Sequence, residues 1–384
     1  MEFLAVLVII GAVLAFQNRL YKKNAFRRLE YHCRFSVSQA CEGDEIELIE
    51  EFSNRKWLML PWLKTEITTS KWLDFAGSQS VVTGDTRYVP SFFTIRGQQQ
   101  LTRRWKVTCL KRGEFSIDRV TIVTTDLLGY SFLSQAGESG ATLLVLPRPL
   151  AHPQLAPLPR YLTGDIFVRR QLVTDPFFIN GVRPYSGREP MNTIHWNATA
   201  REQQLMVFQQ EYTARQSLTV LLNIQSREYE QHEVTQKEQI ENAIRVCAGV
   251  LDSTLSLGMP VQLLANGTTA PVEQWVHRMG ASGSMTGQSI ATGERWGKAH
   301  VEGLLQILAR VQLQSTEDFG SYLTRLGPQV GSTDLILITA YLSQPMLDFA
   351  AACEEGGCQV HILLLGEVSM GVNENDPHVT RVAV

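Results

Sequence analysis

The stretch from Gly181 to Glu211 concentrates side chains that could do chemistry: Arg183, Tyr185, Arg188, Glu189, His195, Trp196, Arg201 and Glu211 all fall within it. Guanidinium and carboxylate groups at such spacing pair by charge, and arginine, tyrosine and tryptophan are also the side chains that anchor protein interfaces. No catalytic signature accompanies them, because the chain has no Gly-x-Ser-x-Gly elbow, no His-Glu-x-x-His and no paired-cysteine site. Two readings follow. Arg183, Glu189, Arg201 and Glu211 form a structural ion-pair cluster around Tyr185 and Trp196, or the same residues form a docking surface. The structural reading leads, since ion-pair networks perturb titration as active sites do. His195, alone beside Trp196, reads as a hydrogen-bonded structural residue rather than a base.

These side chains need elements to hold them. Asn192 can cap a short helix on which Ile194, Ala198 and the aliphatic stem of Arg201 share a face, and Leu205–Glu211 alternates as a strand. On that geometry Arg201 partners a desolvated carboxylate such as Glu211, and breaking the pair costs about 3–5 kcal/mol. Arg188, in the turn from Ser186 to Pro190, is exposed and contributes about 0–1 kcal/mol.

The composition is that of a globular chain: 384 residues, 44% hydrophobic, 19% charged and a formal net charge of −3. That length predicts two or three folded units, and the lack of a domain-wide basic excess argues against nucleic acid. Cys33, Cys41, Cys109, Cys247, Cys353 and Cys358 make no metal-ligand spacing. They read as buried free thiols in a reducing compartment, and no cofactor is expected.

Phe3–Phe16 is an unbroken apolar run, followed at once by Arg19, Lys22, Lys23, Arg27 and Arg28. Its fourteen residues reach only about 21 Å as a helix, short of the roughly 30 Å hydrocarbon core. Met1 and the residues through Leu20 must contribute if it spans. A cleaved signal peptide fits less well, because no base precedes the run and no small-x-small site follows it cleanly. Basic residues after the run, against Glu2 before it, predict a single-pass transmembrane anchor over residues 1–21 with the body on the cytoplasmic side. An interfacial helix and a buried helix are the alternatives.

From Leu29 to Leu146 runs such as Ile46–Glu50, Trp62–Ile67 and Trp105–Leu110 alternate with period two, which predicts an antiparallel β-sandwich-like domain over 29–146. Five prolines between Pro147 and Pro159 stiffen the segment that follows, so 147–180 reads as linker and lead-in. Over 181–384 the chain alternates apolar strands (Leu218–Ile224, Val261–Ala265, 335–339, 359–365) with amphipathic helices (Ile240–Leu255, 300–313, 345–355). That alternation predicts an α/β domain whose mostly parallel sheet carries helices on both faces. Gly280–Gly297 holds five glycines but no Gly-Lys-Ser/Thr, and reads as a flexible surface loop rather than a phosphate cradle.

Gly181, Arg183, Tyr185, Ile194, Trp196, Ala200, Arg201, Leu205, Val207 and Glu211 together resemble the central motif of a bacterial family catalogued as domain of unknown function 58. The resemblance implies that the α/β half is similar to a von Willebrand factor type A domain. In such domains the first strand ends in Asp-x-Ser-x-Ser, whose oxygens hold a divalent cation at the carboxyl edge of the sheet. Here the corresponding residues read Asn223-Ile224-Gln225-Ser226-Arg227. Asn223 removes the carboxylate, Gln225 replaces a hydroxyl, and Arg227 brings a fixed positive charge. The implied metal site is therefore degenerate, with Ser226, Thr339 or Ser343 binding an ion through water as the remote alternative.

These readings combine into a membrane-anchored, non-enzymatic adaptor that touches lipid through its amino-terminal helix. Members of the resembling family are often found with MoxR-type AAA+ ATPases, so the resemblance implies such an ATPase as partner. The competing expectation is a hydrolase in which the loop 266–297 acts as a lid.

Overall fold

The computed structural model describes residues 2–117, 119–126, 129, 131–137, 139–150, 174–186, 191, 194–212, 217–230, 234–269, 289–327, 330, 333–369 and 379–382. They divide into two compact units.

Helix α1 (Glu2–Asn24) carries the apolar run, and Phe3, Leu4, Ile9, Val13 and Phe16 on it are all exposed. Among the described residues no helix is long and apolar enough to cross a membrane. This corrects the transmembrane expectation for residues 1–21. The apolar run stops at Phe16, and Gln17, Asn18 and Arg19 fill the next turn, so its length stays near 21 Å. The far end of the helix belongs to the β-rich core. Tyr21 is fully buried, its hydroxyl donates to the Met59 carbonyl at 3.0 Å, and Ala25 is buried as well.

In the first unit β1 (Leu29–Phe35), β2 (Glu45–Asn54) and β5 (Gln99–Cys109) pair antiparallel in the order β1-β2-β5, with Leu73–Phe75 on the outer edge of β5. A second antiparallel sheet sets β6 (Arg119–Thr125) beside β3 (Leu60–Ser70) and β3 beside β4 (Thr86–Ile95), with Phe132–Gly137 and Val81–Thr83 at its edges. Leu48 and Phe52 from β2, Trp105 and Val107 from β5, and Leu63 and Ile67 from β3 share one core cluster. The period-two pattern thus produces a β-sandwich, each sheet burying alternate residues against the other.

Glu50 lies on the inward row of β2 between Leu48 and Phe52 and is fully buried. Its carboxylate accepts from Trp105 Nε1 at 2.7 Å, from the Tyr31 hydroxyl at 3.0 Å, and from Thr65 and Ser91 hydroxyls at 3.4 Å each. The first unit also takes in Glu302–Gln312. There the buried Arg112 donates from Nε to the Leu308 carbonyl at 3.0 Å and from Nη2 to the Val311 carbonyl at 2.9 Å. A guanidinium at the carboxyl end of helix α4 (Lys298–Arg310) satisfies carbonyls that have no partner within the helix.

The second unit contains a hairpin, β7 (Thr174–Pro184) with β8 (Met206–Tyr212), joined through the short helix α2 (Trp196–Glu202). Residues 174–180 are therefore strand rather than lead-in. The main sheet is parallel through β10 (Val261–Ala265), β9 (Leu218–Leu222), β11 (Asp334–Leu342), β12 (Val360–Val368) and Val379–Arg381, in that order, with Ile290–Ala291 antiparallel beside β10. Every residue of β9 and β11 is buried, as a central parallel sheet requires. Helices α5 (Phe319–Leu326) and α6 (Gln344–Glu355) pack Tyr322, Leu323, Met346 and Phe349 onto Leu221, Leu335 and Leu337. Helix α3 (Lys237–Leu257) contacts β9, β11 and β12 without joining that cluster, which leaves it the opposite face. The expected helix 300–313 ends at Arg310. Val311–Ser315 turns into a strand that pairs with Gly267–Thr269, so the start of the expected lid is sheet, while residues 270–288 lie outside the described residues.

Burial pushes the Glu50 carboxyl above its ordinary value, and hydrogen bonds from Trp105 and Tyr31 together with the charge of Arg103 offset only part of that. A carboxyl with a raised folded pKa contributes stability that is fully present below its unfolded value and is lost as pH rises through the folded one. Glu50→Gln is therefore predicted to melt at or above the wild-type temperature near pH 7, by on the order of 1 kcal/mol. The advantage shrinks as pH falls toward 4, and melting curves across that range check it.

Candidate functional site

The residues singled out in the sequence fall on two places in the second unit. The first is the hairpin. Gly181 stands opposite Gln209, Val182 opposite Phe208, Arg183 opposite Val207 and Pro184 opposite Met206, and the Tyr185 amide donates to the Leu205 carbonyl at 2.8 Å. Ile194, Met206 and Val207 are buried beneath it.

His195 caps α2. Its Nδ1 accepts from the Ala198 amide at 3.0 Å, its own amide donates to the Met206 carbonyl at 2.8 Å, and its ring lies 4.5 Å from that of Phe208. The expected cap, Asn192, lies outside the described residues, as do Arg188, Glu189 and the side chain of Glu211. Helix α2 has no buried residue. Trp196 is 66% exposed and Arg201 is exposed, with no ion pair to Arg201 among the described residues. Trp196 is thus not packed and Arg201 is not desolvated as expected from sequence, because among the described residues no second layer covers the outer face of this short helix; the expected pairing of Arg201 with Glu211 falls on a side chain outside the described residues. Met191, Leu205 and Val182 are exposed on the same segment.

The second place is the carboxyl edge of the sheet, after β9. Asn223 is fully buried; its Nδ2 donates to Thr339 Oγ1 at 3.1 Å and its Oδ1 accepts from the Gln225 amide at 2.9 Å. The Thr339 hydroxyl in turn donates to the Tyr341 carbonyl at 2.7 Å. The Gln225 carboxamide spans two loops, accepting from the Phe319 amide at 2.8 Å and donating to the Glu230 carbonyl at 2.7 Å. Ser226 donates from its amide to Glu230 Oε2 at 2.6 Å and from its hydroxyl to Oε1 at 2.9 Å. Arg227 is exposed. Sequence reasoning named Asn223, Gln225, Ser226 and Thr339; it missed Glu230 and Asn266, whose buried Oδ1 accepts from the Ile224 amide at 2.8 Å. No spacing signal ties those two to the strand end, since each joins through a loop.

Electrostatics agree with a closed network. Burial alone would raise the Glu230 carboxyl, but hydrogen bonds from Thr235 and Ser226 outweigh it and hold the group below its ordinary value. The Tyr341 phenol is pushed up, chiefly by burial, while a hydrogen bond with Asn223 pulls the other way. Among the described residues no three His, Cys, Asp or Glu side chains come together to hold a metal ion. Asn223 and Gln225 turn their donor atoms inward to protein partners. The arrangement fastens loops to strand ends rather than presenting a convergent set of anionic oxygens, the donor set a divalent cation needs.

Residues 181–280 match the family model described as Protein of unknown function DUF58. The matched segment starts within β7 and runs through β9, α3 and β10, so it takes in Asn223, Gln225 and Glu230 but not their partners Thr339 and Phe319. A comparison with curated proteins gave no match. Similar solved structures include a non-cellulosomal cohesin from Archaeoglobus fulgidus, at 13% identity over 30% of this chain and 91% of that one, with a TM-score of 0.21. The CARDB domain of a Pyrococcus furiosus protein gives 12% identity over 30% and 91%, TM-score 0.21. A cohesin module from a Clostridium perfringens family 33 glycoside hydrolase gives 10% over 29% and 97%, TM-score 0.20. Scores this low carry no functional weight.

Asn223→Asp should destabilise the fold near pH 7 by about 1–3 kcal/mol, because the new carboxylate cannot donate to Thr339 and is buried without a cation. Calorimetry with magnesium or manganese should show no micromolar binding to either form. Micromolar binding, or a melt restored by the metal, would overturn the closed-network assignment.

Proposed function

We propose that the chain is a membrane-attached adaptor without enzymatic activity, in which α1 contacts lipid and the hairpin with α2 docks a MoxR-type AAA+ ATPase on the cytoplasmic face. The observation that supports it most is the exposure of Trp196 and Arg201 on a helix that buries nothing. A large aromatic ring left in water is unfavourable, and tryptophan with arginine is the pairing that dominates binding energy at interfaces. The resemblance of residues 181–211 to a family found with such ATPases supplies the partner. The parallel order of β10, β9, β11 and β12 suits a type A-like architecture, with the cation site replaced by amides. The exposed apolar side chains of α1 suit insertion into the outer part of a lipid layer, and its following basic residues suit anionic headgroups.

Removing residues 2–16 should abolish sedimentation with lipid vesicles while leaving the β-sandwich folded, because Tyr21 stays. Removal through residue 28 should instead lower its melting temperature, since Tyr21 and Ala25 leave the core. Trp196→Ala and Arg201→Glu should each weaken ATPase capture by about tenfold or more with melts within about 0.5 kcal/mol of wild type. Normal capture by both would refute docking through α2, and labelling of body cysteines from outside intact cells would refute the orientation.

A further inference from the structure

A cavity of about 320 Å³ lies in the first unit where α1 ends and β2 runs out, lined by Arg27, Arg28, Arg55, Lys56, Trp57 and Gln98 among others. Four of its lining residues are cations and none is a carboxylate. Its volume is at the lower end of the roughly 300–1,000 Å³ of small-ligand sites.

The loop that forms it is held from several sides. Asn54, itself buried, donates from Nδ2 to the Leu58 carbonyl at 3.0 Å and to the Arg96 carbonyl at 2.8 Å. The Arg55 amide donates to the Arg28 carbonyl at 3.0 Å and the Gln98 amide to the Lys56 carbonyl at 2.9 Å. Arg28 and Gln98 both sit in the left-handed region, at φ 55° and 54°. A side chain at Gly97 would meet the Trp57 carbonyl oxygen at 2.3 Å, so glycine is required there.

Lys56 is the residue this framework leaves unexplained. It is only 8% exposed, and its Nζ is buried with no hydrogen-bond partner among the described residues. A buried ammonium without an acceptor is expensive, and lysine at such a place is rare unless paired. Arg55 has an exposed bridge to Glu30 at 2.9 Å, worth little in water, while Arg27 and Arg28 extend exposed. The residues lining the hollow carry three guanidinium groups and one ammonium, the donor set that recognises phosphate.

We infer that this pocket binds a phosphate group, with Lys56 as the buried donor and Arg27, Arg28 and Arg55 closing around it. Phosphate can come from a lipid headgroup or from a soluble anion. The headgroup source rests on the membrane reading above; the soluble source does not. Trp57, 73% exposed beside the pocket, suits the interfacial level of a lipid layer. Burial lowers the Lys56 amine to about 8, so the site carries its full charge below that pH and loses one charge as pH rises through it.

The test uses the full chain, titrated with inorganic phosphate by calorimetry and, separately, sedimented with phosphatidylcholine vesicles with and without phosphatidylglycerol. Saturable phosphate binding, weakened about tenfold or more in Lys56→Met, supports the site with a soluble source. A gain from phosphatidylglycerol that disappears in Lys56→Met, and that declines above pH 8 in the wild type only, supports the headgroup source. Lys56→Met should melt at or above wild type, since methionine retains the apolar stem. Arg28→Gln, at an exposed position, should weaken the same binding and guards against a folding defect in the first variant. Loss of all vesicle binding with phosphate binding intact would remove the membrane reading and leave the pocket. No phosphate binding and no headgroup preference, or binding unchanged in both variants, would overturn the inference.

Discussion

The carboxamide of Asn223 has to find its partners within the chain, and the form of the second unit follows from how it does so. Buried polar groups without partners cost several kilocalories per mole of desolvation. The end of β9 cannot reach water, so Asn223 ties β9 to β11 through Thr339, and Gln225 ties the following loop to α5 and to Glu230. An acidic residue at Asn223 would need a bound cation to offset its charge; an amide needs only one donor and one acceptor nearby. That edge is closed by the chain's own groups.

The outer surfaces differ from the interiors beneath them. The β-sandwich absorbs the last turn of α1 through Tyr21 and leaves the first four turns exposed, so one helix is core at its far end and surface over the rest. The hairpin treats its motif the same way: Ile194, Met206 and Val207 face inward, while Trp196 and Arg201 face out. His195 makes this division possible, because its Nδ1 takes the first free amide of α2 and its ring rests on Phe208.

Periodicity made much of the fold legible. The span Val261–Ala265 coincides with β10, the repeat through Ile240, Ile244, Cys247 and Leu251 with α3, and the alternation over 29–146 with the sandwich. It failed where a residue's neighbours come from far along the chain. Val311 continues the helical spacing of Val301, Leu304 and Leu308, yet becomes strand because Gly267–Thr269 offers it a partner. Glu50 occupies an inward position of the alternation, but its acceptors are met by Tyr31, Ser91 and Trp105, which no local pattern announces. Trp196 was expected at the centre of an ion-pair cluster, and among the described residues nothing covers it. Lys56 gave no signal at all, since a single lysine after Asn54 and Arg55 reads as an ordinary turn.

We propose that the outer face of α2 is a contact surface for another protein. A photo-crosslinking amino acid placed at position 196, activated in intact cells, tests it most directly. Adducts from this position should map to an AAA+ ATPase of MoxR type and vanish in Arg201→Glu. Adducts to lipid or to no protein, with the same ATPase recovered instead from a control position on the β-sandwich, would contradict it.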